Sequence, residues 1–389
     1  MKLLYLYKDY YPVFGGVENY VRQLAEAMQK RGHEAEVLVT NTHWRGVREI
    51  IEGVPVTKTG RLLNLSSAPV SLTMFSDLYR RLLSSANRPD IIHLQFPYPT
   101  GELAWLSSRL LSLGGAARPK TVLTYHSDIV RQKRLLKLYS PFLSRVLKDV
   151  DTIVATSPQY IASSPWLQRV ADKCVVAPLG VDYARFANVQ TAKVAALKAK
   201  FGQQPLLLFA GRLRYYKGLQ FLLQALPRVA AACKLVVVGI GPMEVEWKAQ
   251  ATALGLNNRV VFVGEVGDDD LPAYYQAADI FVLPACERSE AFGIVQLEAM
   301  AAGCPVISTE LGTGTSYINQ NGVTGLVVPP SDPSALANAL ATLLANAPLR
   351  LQMAEQAQER IQAEFTIEQM THRTEEVYRD LLDIAPPMD

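Results

Sequence analysis

In the stretch SEAFGIVQLEAMAAGCPVIS, Ser289 to Ser308, two carboxylates, Glu290 and Glu298, flank an apolar run. Acids at both ends of a segment that the chain buries call for partners. Eight positions apart on a helix, the second lies within roughly 80° of the first and about 12 Å further along the axis. One ligand spans that distance. The run DIFVLP reads as a strand, which puts Glu290 in the loop after it, at the mouth of a helix starting near Phe292 and ending by Gly303. The free first-turn amides of Gly293, Ile294 and Val295, with the helix dipole, suit a phosphate, and Gly293 admits close approach. The alternative is that Glu290 only complements the dipole and Glu298 is a solvated helix residue.

A second loop, Gly211-Arg212-Leu213-Arg214-Tyr215-Tyr216-Lys217-Gly218, follows the strand-like PLLLFA. Its cations Arg212 and Lys217 suit a diphosphate, the guanidinium as a fork of donors and the ammonium as a point charge. Glycines occupy matching positions: Gly239 and Gly241 after KLVVV, Gly264 after RVVFV, and Gly15-Gly16 before the first helix. Each alone is a tight turn; as a set they suggest backbone close to a nucleotide or a sugar phosphate. His126, in YHSD after KTVLTY, reads by residue type alone as a satisfied histidine at a strand end, and His93, inside DIIHLQ, as structural.

The elements that must position these groups follow a βα rhythm, the pattern of a parallel sheet whose ligands bind beyond the carboxyl ends of its strands. Strands are expected at KLLYLY, AEVLVT, DIIHLQ, KTVLTY, DTIVAT and KCVVAP, then at PLLLFAG, KLVVVG, RVVFVG, DIFVLP, PVIST and GLVVPP. The Pro-Gly segment PLGVD places a domain boundary near residue 180. Beyond Pro333 the chain reads as helical over Ser334–Ala345, Leu349–Glu364 and Thr366–Ile384. The last helix is long enough to return to the first domain, with Tyr378 and Leu382 packed on N-terminal residues. The expected domains are 1–180 with the returning 366–389, and 181–365.

Bulk properties agree. A chain of 389 residues favours two domains, and 49% hydrophobic with 19% charged residues describes a folded globular protein. A formal charge of +3 lacks the basic excess of a nucleic-acid binder. The cysteines Cys174, Cys233, Cys286 and Cys304 form neither a CxxC pair nor a dense framework, which points to a reducing cytoplasm. No segment reaches the roughly 20 apolar residues of a membrane span. The segment from Arg131 to Lys148 carries six basic residues among leucines at helical spacing. It reads either as a packed helix with a solvated basic face or as a peripheral contact with an anionic bilayer. Asp268-Asp269-Asp270 opens the helical LPAYYQAA and reads as an N-cap cluster, not a metal site.

EAFGIVQLE has the form E-x7-E, and with GRLRYYKG, VGIGP, Gly15-Gly16 and PLGVD it resembles family 4 of the retaining glycosyltransferases. Within that family the segment GTGTSYINQNGVTGLVVPP looks most like bacterial mannosyl- and rhamnosyltransferases of surface-polysaccharide assembly. The resemblance covers nearly the whole chain. It implies a GT-B fold: two Rossmann-like domains facing across a cleft, an N-terminal acceptor domain and a C-terminal donor domain. Carried over by motif, Glu298 would bond the ribose hydroxyls, and Arg212 and Lys217 would hold the diphosphate. Glu290 and the amides from Phe292 to Val295 would sit by the donor sugar, backbone from Gly264 to Val266 would read the base, and His126 would meet the transferred sugar.

The implied reaction is retaining, metal-independent hexosyl transfer from a nucleotide-diphosphate sugar to a glycan or lipid-linked acceptor, with no cofactor. GDP-mannose is the favoured donor. A UDP- or dTDP-sugar donor, or a phosphorylase or sugar-phosphate synthase of the same fold, stays open. FGGVEN lacks the GxGxxG of an NAD enzyme.

Overall fold

The structure, a computed structural model, describes residues 1–13, 15–65, 68–129, 133–202 and 204–385, with the side chains of 133–138 outside the description. The chain divides into two compact units, Met1–Leu179 with Ile367–Asp389, and Gly180–Thr366.

In the first unit the strands are β1 (Lys2–Leu6), β2 (Glu34–Thr40), β3 (Val47–Ile51), β4 (Val54–Thr59), β5 (Leu63–Leu65), β6 (Ala68–Val70), β7 (Ile91–Phe96), β8 (Lys120–Tyr125), β9 (Thr152–Ala155) and β10 (Cys174–Val176). Eight of them form one sheet in the order β10-β9-β8-β7-β1-β2-β4-β3. All its pairs are parallel except β3–β4, while β5 and β6 form a separate antiparallel pair. The apolar runs are parallel strands with helices on both faces. β7, for example, is buried at every position.

Strands β3 to β6 are additions to the sequence reading. β3 is exposed at almost every position and so carries no alternation of apolar and polar residues. It is held by a tight hairpin whose turn residues, Glu52 and Gly53, both have positive φ, 49° and 83°.

The helix Ile367–Leu381 belongs to this first unit. Its Tyr378 hydroxyl lies 2.5 Å from His93 Nδ1 and 3.4 Å from the Tyr5 hydroxyl. Glu375 joins Arg31 at 2.7 Å and His33 Nε2 at 3.0 Å. Leu382 follows the helix and is only half-buried.

The second unit carries β11 (Leu206–Ala210), β12 (Lys234–Val238), β13 (Val260–Gly264), β14 (Ile280–Leu283), β15 (Val306–Thr309) and β16 (Gly325–Val328). They form one all-parallel sheet in the order β13-β12-β11-β14-β15-β16. Its core joins Phe209, Val237, Val282 and Ile307 to helix residues such as Leu222, Trp247 and Leu340.

Candidate functional site

β11 and β14 are neighbours, so the loops at their carboxyl ends lie side by side. The Cys286 amide donates to the Tyr216 carbonyl at 2.8 Å and stitches the two loops together. Across this seam Lys217 Nζ meets Glu290 Oε2 at 2.6 Å, each residue 8% exposed. Burial pushes the Lys217 ammonium down, and the Glu290 carboxylate more than offsets this, so its pKa is raised and it stays charged. A Cβ at Gly211 would lie 3.7 Å from Lys217 Nζ and 3.9 Å from Val295 Cγ1. The β11 loop, the buried cation and the first turn of the next helix therefore converge. Arg212, one residue on, is exposed and makes no ion pair among the described residues.

That helix spans Ile294–Ala301, two residues later than the sequence suggests, with buried Phe292 before it. Gly293 is its N-cap at φ 82°, where a Cβ would stand 2.7 Å from Gln296 Nε2 and 2.9 Å from Leu283 Cδ2. Only glycine satisfies both demands. The amides of Ile294 and Val295 open the helix and so lack intrahelical acceptors. The Glu290 loop is held from behind, where Thr313 Oγ1 donates to the Glu290 carbonyl at 2.9 Å and the Gly314 amide to the Ala291 carbonyl at 2.7 Å. Glu298 stands in the second turn, and its Oε2 accepts from the Tyr275 hydroxyl at 2.6 Å. Burial raises its carboxyl above the ordinary value, and the Tyr275 bond lowers it in part. Together these groups can hold a bulky anion at a helix mouth and offer a carboxylate to hydroxyls deeper along the helix.

Gly241 packs on protein: a Cβ there would fall 2.5–2.8 Å from the Leu213 backbone, so the glycine lets two loops touch. Gly264 ends β13 with open space around it, and Val266 follows, half-buried. The aspartate run differs from the N-cap expectation. Asp270 precedes the helix Leu271–Ala277 without capping it, because its carboxylate turns to Lys193 Nζ at 2.7 Å. Among the described residues no three His, Cys, Asp or Glu side chains converge as metal ligands.

In the first unit His126 follows β8, 6% exposed, with Nε2 2.7 Å from Gln95 Oε1 and its ring edge-on to Tyr20 at 5.1 Å. Burial, with Lys8 nearby, lowers its pKa to about 3, so the imidazole is neutral. His93 is wholly buried between Tyr378 and Thr124, as a structural histidine. Gly15 caps the helix Gly16–Lys30 in extended conformation, and the Glu18 carboxylate fills the space where its Cβ would be. Gly16 begins that helix in open space. The basic stretch begins at 131, and residues 131 and 132 and the side chains of 133–138 lie outside the description. Its remainder continues the helix Lys133–Asp149, where Arg145 pairs with Asp149 at 2.7 Å.

Residues 14–185 match the family described as Glycosyltransferase Family 4, and residues 193–360 match Glycosyl transferases group 1. The O-antigen chain mannosyltransferase C of Escherichia coli is 38% identical over 98% of this chain and 99% of its own. The chain belongs to glycosyltransferase family 4. The D-rhamnosyltransferase WbpZ of Pseudomonas aeruginosa is 40% identical to this glycosyltransferase over 94% of this chain and 92% of its own. Among solved structures, sucrose-phosphate synthase of Thermosynechococcus elongatus superposes with a TM-score of 0.79 at 24% identity, covering 98% of this chain and 100% of that one. Anabaena HepE in complex with UDP and glucose superposes with a TM-score of 0.76 at 21% identity, over 98% and 100% of the two chains.

These likenesses show the GT-B fold of two Rossmann-like domains, and the enzyme moves a sugar from a nucleotide sugar to a glycan acceptor. Among the described residues no helix of this glycosyltransferase is long and apolar enough to cross a membrane. Sequence reasoning missed Tyr275, the partner of Glu298, and Gln95, the partner of His126. A tyrosine in an amphipathic helix and a glutamine in a buried strand look like core residues until their partners are known. The glutamine, polar inside the apolar run IIHLQF, was the readable signal.

Proposed function

We propose that the chain transfers a hexose with retention of configuration from a nucleotide-diphosphate sugar, GDP-mannose being the favoured donor, to a glycan or lipid-linked acceptor. The observation that carries this reading is the buried Lys217–Glu290 pair at the mouth of the helix whose second turn bears Glu298. Lys217 and Arg212, with the amides of Gly293, Ile294 and Val295, neutralise the diphosphate, and Glu298 accepts from the ribose hydroxyls. Glu290 and Phe292 border the donor sugar, backbone from Gly264 to Val266 meets the base, and His126 serves the transferred sugar as a neutral imidazole.

The acceptor hydroxyl oxygen bonds to the anomeric carbon on the face that the diphosphate leaves. The carbon–oxygen bond to phosphate breaks with its electron pair going to the phosphate oxygen, which takes the hydroxyl proton. Charge builds on the departing diphosphate, where fixed cations and amides stabilise it without reorganising. The step needs no metal; a requirement for Mn²⁺ or Mg²⁺ after chelation would contradict it. The names of the two relatives support the donor choice, since D-rhamnose is 6-deoxy-D-mannose and both names refer to one sugar scaffold. The basic helix Lys133–Asp149 supports a peripheral, cytoplasmic contact with an anionic membrane that carries the acceptor.

Thermal shifts with GDP, UDP and dTDP, then with their sugars, test the donor. GDP and GDP-mannose are expected to stabilise the enzyme most. Stabilisation by none of them would contradict the reading.

A further inference from the structure

Among the described residues the Glu298 carboxylate has one hydrogen-bonded neighbour, and that neighbour is fully buried. Tyr275, on the helix Leu271–Ala277, is 0% exposed, with its hydroxyl 2.6 Å from Glu298 Oε2. Its ring is wedged between Phe186, edge-on at 5.7 Å and 74°, and Phe281 at 5.5 Å and 50°. We infer that Tyr275 is a positioning residue for the donor nucleotide: its hydroxyl fixes the Glu298 carboxylate so that Oε1 is presented to a ribose hydroxyl. The inference rests on the reading of Glu298 as the ribose contact.

Three physical points support it. A free glutamate side chain loses rotamer freedom when a ligand immobilises it, and a carboxylate already fixed avoids that cost. Burial and the adjacent carboxylate hold the Tyr275 hydroxyl protonated, so it is a permanent donor to Oε2. Oε1 has no partner among the described residues and remains available. The charged groups acting on Glu298 are Arg185 and Asp268, which lie 3.9 Å from each other, and Lys217. None of the three bonds to it: Arg185 donates to the Asp268 carbonyl and Lys217 pairs with Glu290. Among the described residues Tyr275 alone hydrogen-bonds to it.

The test titrates GDP and UDP and their 2′,3′-dideoxy counterparts, from pH 5.5 to 8.5, into the wild type, Tyr275→Phe, Glu298→Gln and the double variant. The wild type is expected to prefer the ribonucleotide. Tyr275→Phe keeps the ring, and is expected to lose about 10-fold in affinity for the ribonucleotide and nothing for the dideoxy form, the loss of one hydrogen bond to a charged group. KM for the donor rises with kcat nearly unchanged. Without the phenol the carboxyl protonates more readily, so the fall of ribonucleotide affinity on the acid side moves to higher pH. In the Glu298→Gln background Tyr275→Phe should add nothing.

If Glu298→Gln loses the ribose preference while Tyr275→Phe keeps it with an unshifted pH profile, Tyr275 is a core residue and the inference is overturned. If Glu298→Gln itself keeps the preference, the ribose reading falls first and takes this inference with it. Should Tyr275→Phe fail to fold, Phe186→Leu loosens the same ring. It is expected to reduce the ribose preference in the same direction, and an unchanged preference overturns the inference.

Discussion

In the second unit a buried ammonium, Lys217, meets a buried carboxylate, Glu290, at 2.6 Å; in the first, His93 and His126 are buried uncharged among Tyr378, Thr124 and Gln95. Lys217, Glu290 and His126 follow the carboxyl ends of parallel strands, while His93 lies within β7. The Lys217–Glu290 cluster keeps its charges inside by pairing them, and the histidine cluster keeps its bases inside by leaving them neutral. The paired cation can be shared with an incoming diphosphate, because the pair is already desolvated and in place. A neutral imidazole brings no charge to a diphosphate; His126 suits contact with a sugar hydroxyl, whereas His93 has both ring nitrogens taken by Tyr378 and Thr124 and is structural.

The largest effect that would sharpen this contrast comes from Lys217→Ala. It leaves Glu290 buried without a cation, and is expected to cost about 3–5 kcal/mol in urea unfolding and about 10²–10³-fold in kcat. The double variant Lys217→Met/Glu290→Leu should recover stability without recovering transfer. Full activity in either variant would mean that the pair is only structural.

His126→Ala comes next. A loss of about 10²-fold in kcat with nucleotide affinity unchanged is expected, from a kinetic series with donor and acceptor varied separately. The wild-type profile should show no inflection from His126 between pH 5 and 8, since its folded pKa is about 3. Weaker nucleotide binding in this variant would break the division of labour. Glu298→Gln should then raise the donor KM by about 10-fold and leave kcat nearly intact.

How much of this was legible in the sequence depends on burial pattern and partners. The twelve expected strands are present because each is a short apolar run, fully buried in central strands such as β7 and β11, and the E-x7-E segment showed the order loop, helix, carboxylate directly. β3 was invisible because an exposed edge strand such as VREII has no apolar face. Asp270 misled, since an aspartate before a helix usually caps it, whereas here Lys193, 77 positions earlier, takes the carboxylate. Gly241 fitted the picture of backbone near a ligand, yet its close approach is to Leu213. Tyr275, in LPAYYQAA, was unreadable as a site group because its role lies in a partner distant along the chain, which periodicity cannot report, whereas Gln95 at least showed as a polar residue inside the apolar run IIHLQF.

The smallest effect concerns stability. His93 and His126, ordinarily near 6.5, are both held at about 3 in the fold. Below 6.5 the unfolded chain takes up protons that the native state refuses, so their contribution is lost as pH falls from 6.5 toward 3. Glu102 has the opposite sign. Burial raises its carboxyl to about 8 from 4.5, despite the Tyr98 amide bonded to it, so its contribution is full below 4.5 and lost as pH rises through 8. Urea unfolding across pH 4.5–8.5 should therefore show His93→Gln flattening the acid side and Glu102→Gln the alkaline side. Unchanged slopes in both variants would contradict neutral burial in this unit.

The most direct test of the donor site compares guanosine, GMP and GDP by calorimetric titration of the wild type and Lys217→Met. The account predicts that affinity in the wild type rises steeply from guanosine to GDP, and that Lys217→Met loses most of that rise while binding guanosine as before. Equal GDP affinity in the two proteins would contradict a pyrophosphate held at the mouth of the helix Ile294–Ala301.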